Sequence, residues 1–374
     1  MPEALTPAQR RPMTPPLPAG QASREYRSAV RPVLRPWLRD LPPYRPGRPA
    51  PAPAGSLASN EPPFPASPAA AAALGACGET IHRYPDPLAS RLAGRLATLH
   101  DVSPDQILVG SGSDELIFLL CLAYAARGSV LVADPPYAMH DLVARQLGAT
   151  VWRVPLRDDA HDLTAMAAVA ADLAFVCNPA NPTGTAHAGG AVARFARDAA
   201  SAVVVVDEAY VDFARDPAAT TAMDLARAGE VVVLRTFSKL HGLAGLRVGY
   251  LVGPAAVVND LRALRLPFSV NAAAQAAAEA ALEDVDHQEA VRHYVVDTRE
   301  RLAAAFAGAG YDCVDSQANF LLVRTPAEEA VVAHFAAAGI SVRAGSGLGL
   351  PGAIRISIPP PDGLAHLLAT VAAL

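Results

Sequence analysis

The sequence has few cysteines and no cluster of metal-ligating residues. Only four cysteines occur in 374 residues, no two of them form a Cys-x-x-Cys pair, and the ten histidines include no HExxH-type motif. Because disulfide frameworks and zinc sites depend on such spacings, neither is indicated, and we expect no metal at the functional site. His82, His140 and His161 are interpreted as surface or loop residues.

An excess of basic charge and a long apolar run are also missing. The chain carries 31 lysines and arginines against 36 aspartates and glutamates, so its net charge of -5 does not favour broad nucleic-acid binding. No apolar run reaches the ~18 residues that a membrane span requires. With 52% hydrophobic residues, the chain is long enough for a large core and more than one domain. We expect a cytoplasmic protein with neither nucleic-acid nor membrane partners.

Proline is concentrated near the amino terminus. More than half of the 34 prolines fall within the first 68 residues, and proline disrupts both helices and central strands. Residues 1–27 are predicted to be a disordered extension, followed over 28–60 by a separate amino-terminal segment. The extension has few acidic residues, as a mitochondrial transit peptide does, but its prolines argue against the amphipathic helix of such peptides.

Strand-like and helix-like segments alternate from residue 107 to residue 250. Helical stretches such as 141–147 and 191–199 separate apolar runs, a pattern that predicts a mainly parallel, doubly wound sheet with helices on both faces. We predict a large domain over 61–265, followed over 266–374 by linking helices and a smaller α/β domain. In that domain, strands at 320–323, 340–342 and 353–358 are expected to form a small mixed sheet.

The segment 236–250 is the most informative part of the sequence. It reads Thr-Phe-Ser-Lys-Leu-His-Gly-Leu-Ala-Gly-Leu-Arg-Val-Gly-Tyr and places Lys239 just after the apolar run 231–234, with Arg247 further on. A lysine at the end of a buried strand is unfavourable unless it is neutralised or used covalently. A Schiff base to an aldehyde cofactor does both, and an arginine can bind a phosphate through two hydrogen bonds. The pair suits pyridoxal phosphate (PLP), although a surface loop would give the same local pattern.

Polar residues follow two further strand-like runs upstream. The β-branched run 202–206 is typical of a strand buried on both faces, and Asp207 follows it, where open α/β sheets bind ligands. A carboxylate there would hold a proton on a pyridine nitrogen and make the ring an electron sink. Tyr210 and Asn181 could both reach the phenolate oxygen of the cofactor. The segment 177–184 that contains Asn181 would serve equally well as a tight turn.

Small residues precede a helical stretch after the apolar run 107–109. The segment 110–117, Gly-Ser-Gly-Ser-Asp-Glu-Leu-Ile, could direct backbone N–H groups and the helix dipole at an anion. Ser113 and Asp114 would also cap a helix that binds no ligand. Tyr137, after the run 130–133, could stack on a flat heterocycle or belong to the core.

Together, these motifs resemble the fold-type I PLP-dependent aminotransferases, specifically their histidinol-phosphate aminotransferase branch. The resemblance runs from about Val30 onward, and a set of motifs in one order is more specific than any one of them. The fold it implies is α/β, with a large domain built on a mainly parallel doubly wound sheet and a smaller α/β domain. Residues 28–60 would then pack on the small domain and the active-site entrance. The matching segments are 41–47, 57–61, 83–86, 110–116, 178–184, 207–210, 236–250, 318–320, 342–343 and 355–357.

The resemblance also implies a role for each site residue. Lys239 would bind the cofactor as a Schiff base and then move a proton between the substrate Cα and the cofactor, with Asp207 and Tyr210 as the other catalytic residues. The anionic end of the substrate, a phosphate or a carboxylate, would be held by Arg355, assisted by Arg343, Tyr44 and Asn60. The enzyme would be an obligate homodimer. The cofactor would be bound by Gly112, Ser113, Asp114, Tyr137, Asn181, Asp207, Tyr210, Thr236, Ser238, Lys239 and Arg247, and by Tyr84 of the partner subunit.

Departures from the family pattern are confined to the loops expected to face the substrate. They are Pro62-Pro63-Phe64-Pro65 after Asn60-Glu61, Leu240-His241 after Lys239, and the three prolines 359–361 after the Arg355 segment. The cofactor residues are unaffected. The type of reaction is therefore better determined by the sequence than the identity of the substrate.

The leading interpretation is an aminotransferase that uses histidinol phosphate as amino donor and 2-oxoglutarate as acceptor, in histidine biosynthesis. An aromatic amino acid aminotransferase is the closest alternative, because 231–250, 175–181 and 267–270 resemble that subgroup equally, whereas 112–115 favours the histidinol-phosphate type. A phosphothreonine-type decarboxylase could use the same two arginines on a phosphate. A PLP-sensing transcription regulator would need an amino-terminal DNA-binding domain, for which the first 28 residues are too few and too rich in proline.

Overall fold

The computed structural model of the chain describes residues 34–39, 41–43 and 46–374. The predicted extension 1–27, the first part of the predicted segment 28–60 and the substrate-binding candidate Tyr44 lie outside these ranges. Residues 34–39 contain one 3-10 turn, Pro36–Leu38. Residues 41–374 form one unit, which contains both sheets and the candidate site.

The larger sheet is mostly parallel. Its strand order is β1-β7-β6-β5-β4-β2-β3. Among the described strands of this sheet, β7 is the one that runs in the opposite direction to the others, so it pairs antiparallel with both β1 and β6. The sequence of these strands explains their central position, since β5 is a nearly pure valine run and four of its five residues are buried. Within the described residues the sheet comprises β1 (Ile107–Gly110), β2 (Ser129–Asp134), β3 (Thr150–Pro155), β4 (Leu173–Cys177), β5 (Val203–Asp207), β6 (Val232–Thr236) and β7 (Gly249–Val252).

Helices connect these strands and also form most of the carboxy-terminal part. Among the described residues, none of them is both long and apolar enough to cross a membrane. They are α1 (Pro68–Ala76), α2 (Ser90–His100), α3 (Gly112–Tyr124), α4 (Ala138–Gln146), α5 (Leu163–Ala167), α6 (Gly189–Asp198), α7 (Pro217–Thr220), α8 (Met223–Arg227), α9 (Ala255–Leu264), α10 (Ala272–Glu283), α11 (Val285–Gly308), α12 (Glu328–Ala337) and α13 (Pro361–Ala372).

Helices cover both faces of the larger sheet. Successive strand residues such as Leu108 and Val109 belong to two different apolar cores, because side chains alternate between the faces of a strand. One core joins the sheet to α2, α6 and α10, and the other joins it to α3, α4 and α9. The predicted α/β, doubly wound fold is therefore confirmed, and the predicted helices at 141–147 and 191–199 correspond to α4 and α6.

The smaller sheet differs from the predicted one. Its strands β8 (Asp312–Cys313), β9 (Phe320–Arg324), β10 (Arg343–Ala344) and β11 (Ala353–Ser357) have the order β10-β11-β9-β8, and every pairing is antiparallel. The expectation of a mixed sheet with a strand at 340–342 was wrong. Ser341 instead makes an isolated parallel bridge to Ser56 in the amino-terminal segment. The division into domains at 265/266 remains a prediction; α9 ends at Leu264 and α10 begins at Ala272.

Candidate active site

A cavity of about 620 Å³ opens at the carboxyl edge of the parallel strands. This is the edge at which open α/β sheets bind ligands, because loops and helix N-termini from neighbouring strands meet there. The small sheet also contributes to the lining, through Arg343 of β10 and Arg355 of β11. Of the residues singled out in the sequence, those that line it are Asn60, Ser113, Asp114, Tyr137, Asn181, Asp207, Tyr210, Thr236, Ser238, Lys239, Arg247, Arg343 and Arg355.

Lys239 projects into the cavity just beyond the end of β6. Its Nζ donates a hydrogen bond to the backbone carbonyl of Asn60 at 2.8 Å and lies 5.5 Å from the centroid of the Tyr210 ring. Burial, reinforced by the positive charge of Arg355, lowers the pKa of the Lys239 amine to about 8. About a tenth of the amine is therefore neutral at pH 7, far more than for an ordinary lysine, and the neutral form is the one that a nucleophile or proton acceptor requires.

Tyr210 is held by two amides. Its hydroxyl oxygen accepts hydrogen bonds from the side-chain nitrogens of Asn60 and Asn181, each at 3.1 Å. Burial of the ring is the largest cause that raises the pKa of Tyr210, so the hydroxyl keeps its proton and can donate it in a hydrogen bond. Asn60 reaches this position with a φ of 54°, in the left-handed region that asparagine tolerates better than most residues.

Asp207, at the end of β5, is bound to a buried histidine. His140 Nε2 lies 3.1 Å from Asp207 Oδ2, both side chains are almost fully buried, and Asp207 Oδ1 accepts the Ala209 backbone N–H at 3.1 Å. The His140 ring stacks on Phe175 at 4.2 Å with an interplanar angle of 8°, and packs edge-on against Tyr137. The interpretation of His140 as a surface or loop residue was therefore wrong. It lies in α4, and its i, i+3 spacing from Tyr137 was the available signal.

The N-terminus of α3 contributes Ser113 and Asp114 to the lining of the cavity, beside Arg247. Gly112 has a φ of 77°, a conformation that residues with a Cβ rarely adopt, and a Cβ there would also displace Arg247 Nη2, 2.5 Å away, so glycine is favoured. Arg247 Nη2 donates to Asp114 Oδ2 at 3.1 Å, and Tyr137 donates to Asp114 Oδ1 at 3.2 Å. Helix N–H groups together with a guanidinium are the donor set that a phosphate needs. The residues present therefore suit a phosphate-bearing cofactor.

Arg355 connects this site to the small sheet. Its Nη1 donates to Asn181 Oδ1 at 2.6 Å and its Nη2 donates to the Ala58 carbonyl at 3.0 Å. Asn181 thus contacts Tyr210 through its nitrogen and Arg355 through its oxygen. Arg343 in β10 lies opposite Arg355 in the register of the antiparallel pair β10 and β11, and it also lines the cavity. Two cationic side chains consequently lie at the small-sheet end of the cavity.

Tyr84 does not reach the cavity of its own chain. It is 82% exposed and its ring stacks on Phe268 with the centroids 4.5 Å apart. Gly112 contributes backbone beside the cavity rather than lining it. Sequence reasoning missed the Asn60 carbonyl as the partner of Lys239, because a backbone acceptor leaves no residue-type signal.

The mostly parallel sheet with a lysine at its carboxyl edge defines the fold-type I class of transferases. The family model described as aminotransferase class I and II matches residues 55–371, and the chain belongs to that family. The protein is therefore an enzyme, a PLP-dependent aminotransferase.

Its relatives carry two different names. The aromatic amino acid aminotransferase of Thermobifida fusca is 40% identical over 346 residues, which cover 88% of this chain and 94% of the relative. The histidinol-phosphate aminotransferase of Jannaschia sp. is 38% identical over 329 residues, covering 85% and 90% of the two chains. The crystal structure of histidinol-phosphate aminotransferase from Sinorhizobium meliloti in complex with pyridoxal-5'-phosphate superposes with a TM-score of 0.82 at 28% identity, over 93% of this chain and 98% of that one.

Proposed function

We propose that the protein transfers the amino group of histidinol phosphate to 2-oxoglutarate, with PLP held in the cavity by the residues described above. The observation that carries this choice of substrate is the pair Arg343 and Arg355, which face one another across β10 and β11 at the wall of the cavity. A phosphate group carries up to two negative charges, and two guanidinium groups can satisfy more of its oxygens than one.

PLP, when bound, supplies an aldehyde that bonds to amines and a ring that accepts electrons from the substrate carbon. The phosphate would be held by the α3 N-terminus and Arg247, together with the hydroxyls of Ser113, Thr236 and Ser238. Tyr137 would pack on the ring. Asp207, fixed by His140, would hold a proton on the ring nitrogen, and Tyr210 with Asn181 would donate to the ring oxygen.

Lys239 performs the proton transfer in this proposal. Its neutral amine would take the proton from the substrate Cα and hold it for return, a transfer that needs a base with a pKa near the working pH. The pKa of about 8 meets that requirement. The Asn60 carbonyl orients the amine, because it accepts one of its hydrogens at 2.8 Å.

Arg355 must serve both substrates, since histidinol phosphate and 2-oxoglutarate occupy the site in turn. One bidentate guanidinium is sufficient for a carboxylate, whereas a phosphate would engage Arg343 as well. Tyr44 and Asn60 complete the proposed substrate contacts. Asn60 is 1% exposed, and its side-chain nitrogen already donates to Tyr210, so it links the substrate end of the cavity to the cofactor end.

A second candidate donor is an aromatic amino acid. The relatives named aromatic amino acid aminotransferases, such as the one from Thermobifida fusca, support this alternative at an identity similar to that of the histidinol-phosphate group. An aromatic donor ends in a single carboxylate, so it needs Arg355 but has less use for Arg343. The alternatives therefore differ in how they depend on one residue.

We also propose that the enzyme is a homodimer in which Tyr84 reaches the phosphate site of the partner subunit. Tyr84 and Phe268 are both exposed and stack on one another, and exposed apolar contacts of this kind are typical of protein interfaces. Other exposed large apolar side chains near these two residues in the sequence are Leu74, Ile81, Leu88 and Leu266. A cytoplasmic location remains part of the proposal.

The decisive experiment is a steady-state comparison of amino donors, with 2-oxoglutarate as acceptor. We expect kcat/KM for histidinol phosphate to exceed that for phenylalanine by at least about tenfold, since one extra charge-assisted contact contributes roughly that much. A preference for phenylalanine would contradict the proposal in favour of the second candidate. Phosphothreonine is included as a further substrate, and release of carbon dioxide from it without a keto product would instead identify a decarboxylase. A Lys239→Ala variant sets the background rate.

A further inference from the structure

We infer that Phe320 is a positioning residue, whose ring sets the spacing between the Arg355 guanidinium and the Tyr210 ring. The inference rests on the proposed function, in which Arg355 binds the substrate anion and Tyr210 contacts the cofactor. Phe320 begins β9 and its side chain is fully buried.

Two independent contacts place Phe320 between these groups. The Arg355 Cζ lies 5.3 Å from the centroid of the Phe320 ring, within the ~6 Å at which a ring attracts a cation. Tyr210 packs edge-on against the same ring, with the centroids 5.3 Å apart and an interplanar angle of 86°. That is a preferred geometry for aromatic pairs. Phe320, Tyr210 and Ala318 form an apolar cluster distinct from the larger cores.

The contacts continue to the reactive amine. Lys239 Nζ lies 5.5 Å from the Tyr210 ring centroid, so Lys239, Tyr210, Phe320 and Arg355 form one row of contacts in which two rings lie between two cations. A substrate held through its anion at Arg355 must present its amino-bearing carbon to Lys239. An error of ~1 Å in that placement can strongly reduce the rate. Phe320 is the member of the row that has no chemical role of its own.

The Arg355 guanidinium is contacted both at its edge and over the Phe320 ring. Its Nη1 and Nη2 donate to Asn181 and to the Ala58 carbonyl, which hold the edge of the guanidinium plane. The Phe320 ring supports the guanidinium carbon from 5.3 Å. Loss of the ring should therefore loosen the cation and weaken anion binding without removing any hydrogen-bond partner.

The test compares Phe320→Leu with Phe335→Leu in the holoenzyme. Phe335 is as fully buried as Phe320 but lies in α12, where it packs in the small-sheet core against Phe306 and does not line the cavity. Succinate and inorganic phosphate serve as non-reacting anionic inhibitors, assayed with whichever amino donor the wild-type enzyme uses. Both variants should lower the unfolding temperature, since each removes a buried ring.

We expect Phe320→Leu to raise the inhibition constants of both anions and the KM of the donor about three- to tenfold, the range of a partly desolvated cation–π contact. Phe335→Leu should leave these constants within about twofold of wild type, because it perturbs packing alone. Equal shifts in the two variants, or no shift in Phe320→Leu, would overturn the inference. Phe320→Met, which refills an irregular gap, has the same expected result and replaces the leucine variant if that protein is insoluble.

The outcomes also separate this inference from the proposed function. If the wild-type enzyme turns over phenylalanine and not histidinol phosphate, the proposed donor is wrong, but the inhibition constants still test Phe320. If both Phe320 variants fail to fold while Phe335→Leu folds, Phe320 is a core residue only and the inference is contradicted.

Discussion

Arg343 lies directly opposite Arg355 in the antiparallel pair formed by β10 and β11. Residues opposite one another in such a pair project from the same face, and both of these side chains line the cavity. Like charges directly opposite one another are unfavourable, and an anion bound between them would offset that cost. The sheet therefore builds a site with more positive charge than one carboxylate requires.

Removal of Arg343 should therefore change selectivity more than overall activity. We expect Arg343→Ala to lower kcat/KM for histidinol phosphate about ten- to a hundredfold, the value of one charge-assisted contact, with a much smaller effect on phenylalanine. Arg355→Ala should reduce kcat/KM for every substrate. The measurement is the ratio of kcat/KM values across donors and 2-oxoglutarate in each variant. An equal loss for all substrates in Arg343→Ala would favour the aromatic amino acid aminotransferase.

The lowered pKa of Lys239 predicts how the enzyme acquires its cofactor. The neutral amine is the nucleophile, and the amine is protonated below its pKa of about 8. We expect the rate at which apo-protein forms a borohydride-reducible bond with PLP to rise about tenfold per pH unit below pH 8 and to level off above it. Lys239→Ala should form no such bond and should lose nearly all turnover. Reduction that labels another lysine would contradict the assignment.

The apo-protein should show the same group in its stability. The folded state binds the Lys239 proton less tightly than the unfolded state, whose pKa stays near the ordinary lysine value. Between about pH 8 and pH 10.5 the unfolded state therefore carries more protons, and the free energy of unfolding rises with pH. We expect the unfolding free energy of the wild type, minus that of Lys239→Met, to increase with pH across this interval. A difference that is flat with pH would contradict the burial of the amine.

Asp207 and His140 are expected to act as one unit. Asp207→Ala should lower the transamination rate by several orders of magnitude, because it removes the charge that stabilises a protonated ring nitrogen. His140→Phe keeps an aromatic ring against Phe175 but removes the donor to Asp207, and we expect a loss of about tenfold. Both variants together should be no slower than Asp207→Ala alone, since His140 acts through Asp207. Multiplied losses in the double variant would show that His140 acts independently.

The parts of the fold that follow from the sequence are those with strong local patterns. The valine run of β5 and the alternation of apolar and helical segments predicted the large sheet, because buried parallel strands require such runs. β8 and β10 have two residues each, too short for any periodicity, and they are specified by pairing with β9 and β11.

The candidate site shows a similar division. Residues recognised by type, such as Lys239 and Asp207, were predicted to share one site, and the structure brings them to one cavity. His140 was misread because a histidine was judged singly. Its position depends on burial between α4 and Phe175 of β4, and on the distant Asp207. The support that Phe320 gives to Arg355 joins two strands of the small sheet, and no local pattern encodes a contact of that kind.

The position of Tyr84 leads to a prediction about subunits. Its ring is 82% exposed, stacks on Phe268 and does not line the cavity of its own chain, so any role at the cofactor phosphate must be exerted in a partner subunit. Tyr84→Ala should weaken PLP binding and lower activity, whereas Lys239→Ala should be inactive. A hybrid dimer of the two variants would have one site with both residues intact and one site that lacks both.

Subunit exchange between these two variants should consequently restore activity. In an equal mixture at random exchange, half of the dimers are hybrids with one intact site of two, so we expect about a quarter of wild-type activity in a symmetric dimer. The control is a mixture of Lys239→Ala with Asp207→Ala, two residues of one chain's cavity, whose hybrids contain no intact site. Recovery in the first mixture and none in the control requires that Tyr84 act across the interface. If the first mixture gains no activity while exchange is demonstrated by differently tagged chains, Tyr84 acts within its own subunit or not at all, and the exposed stack of Tyr84 on Phe268 needs another explanation.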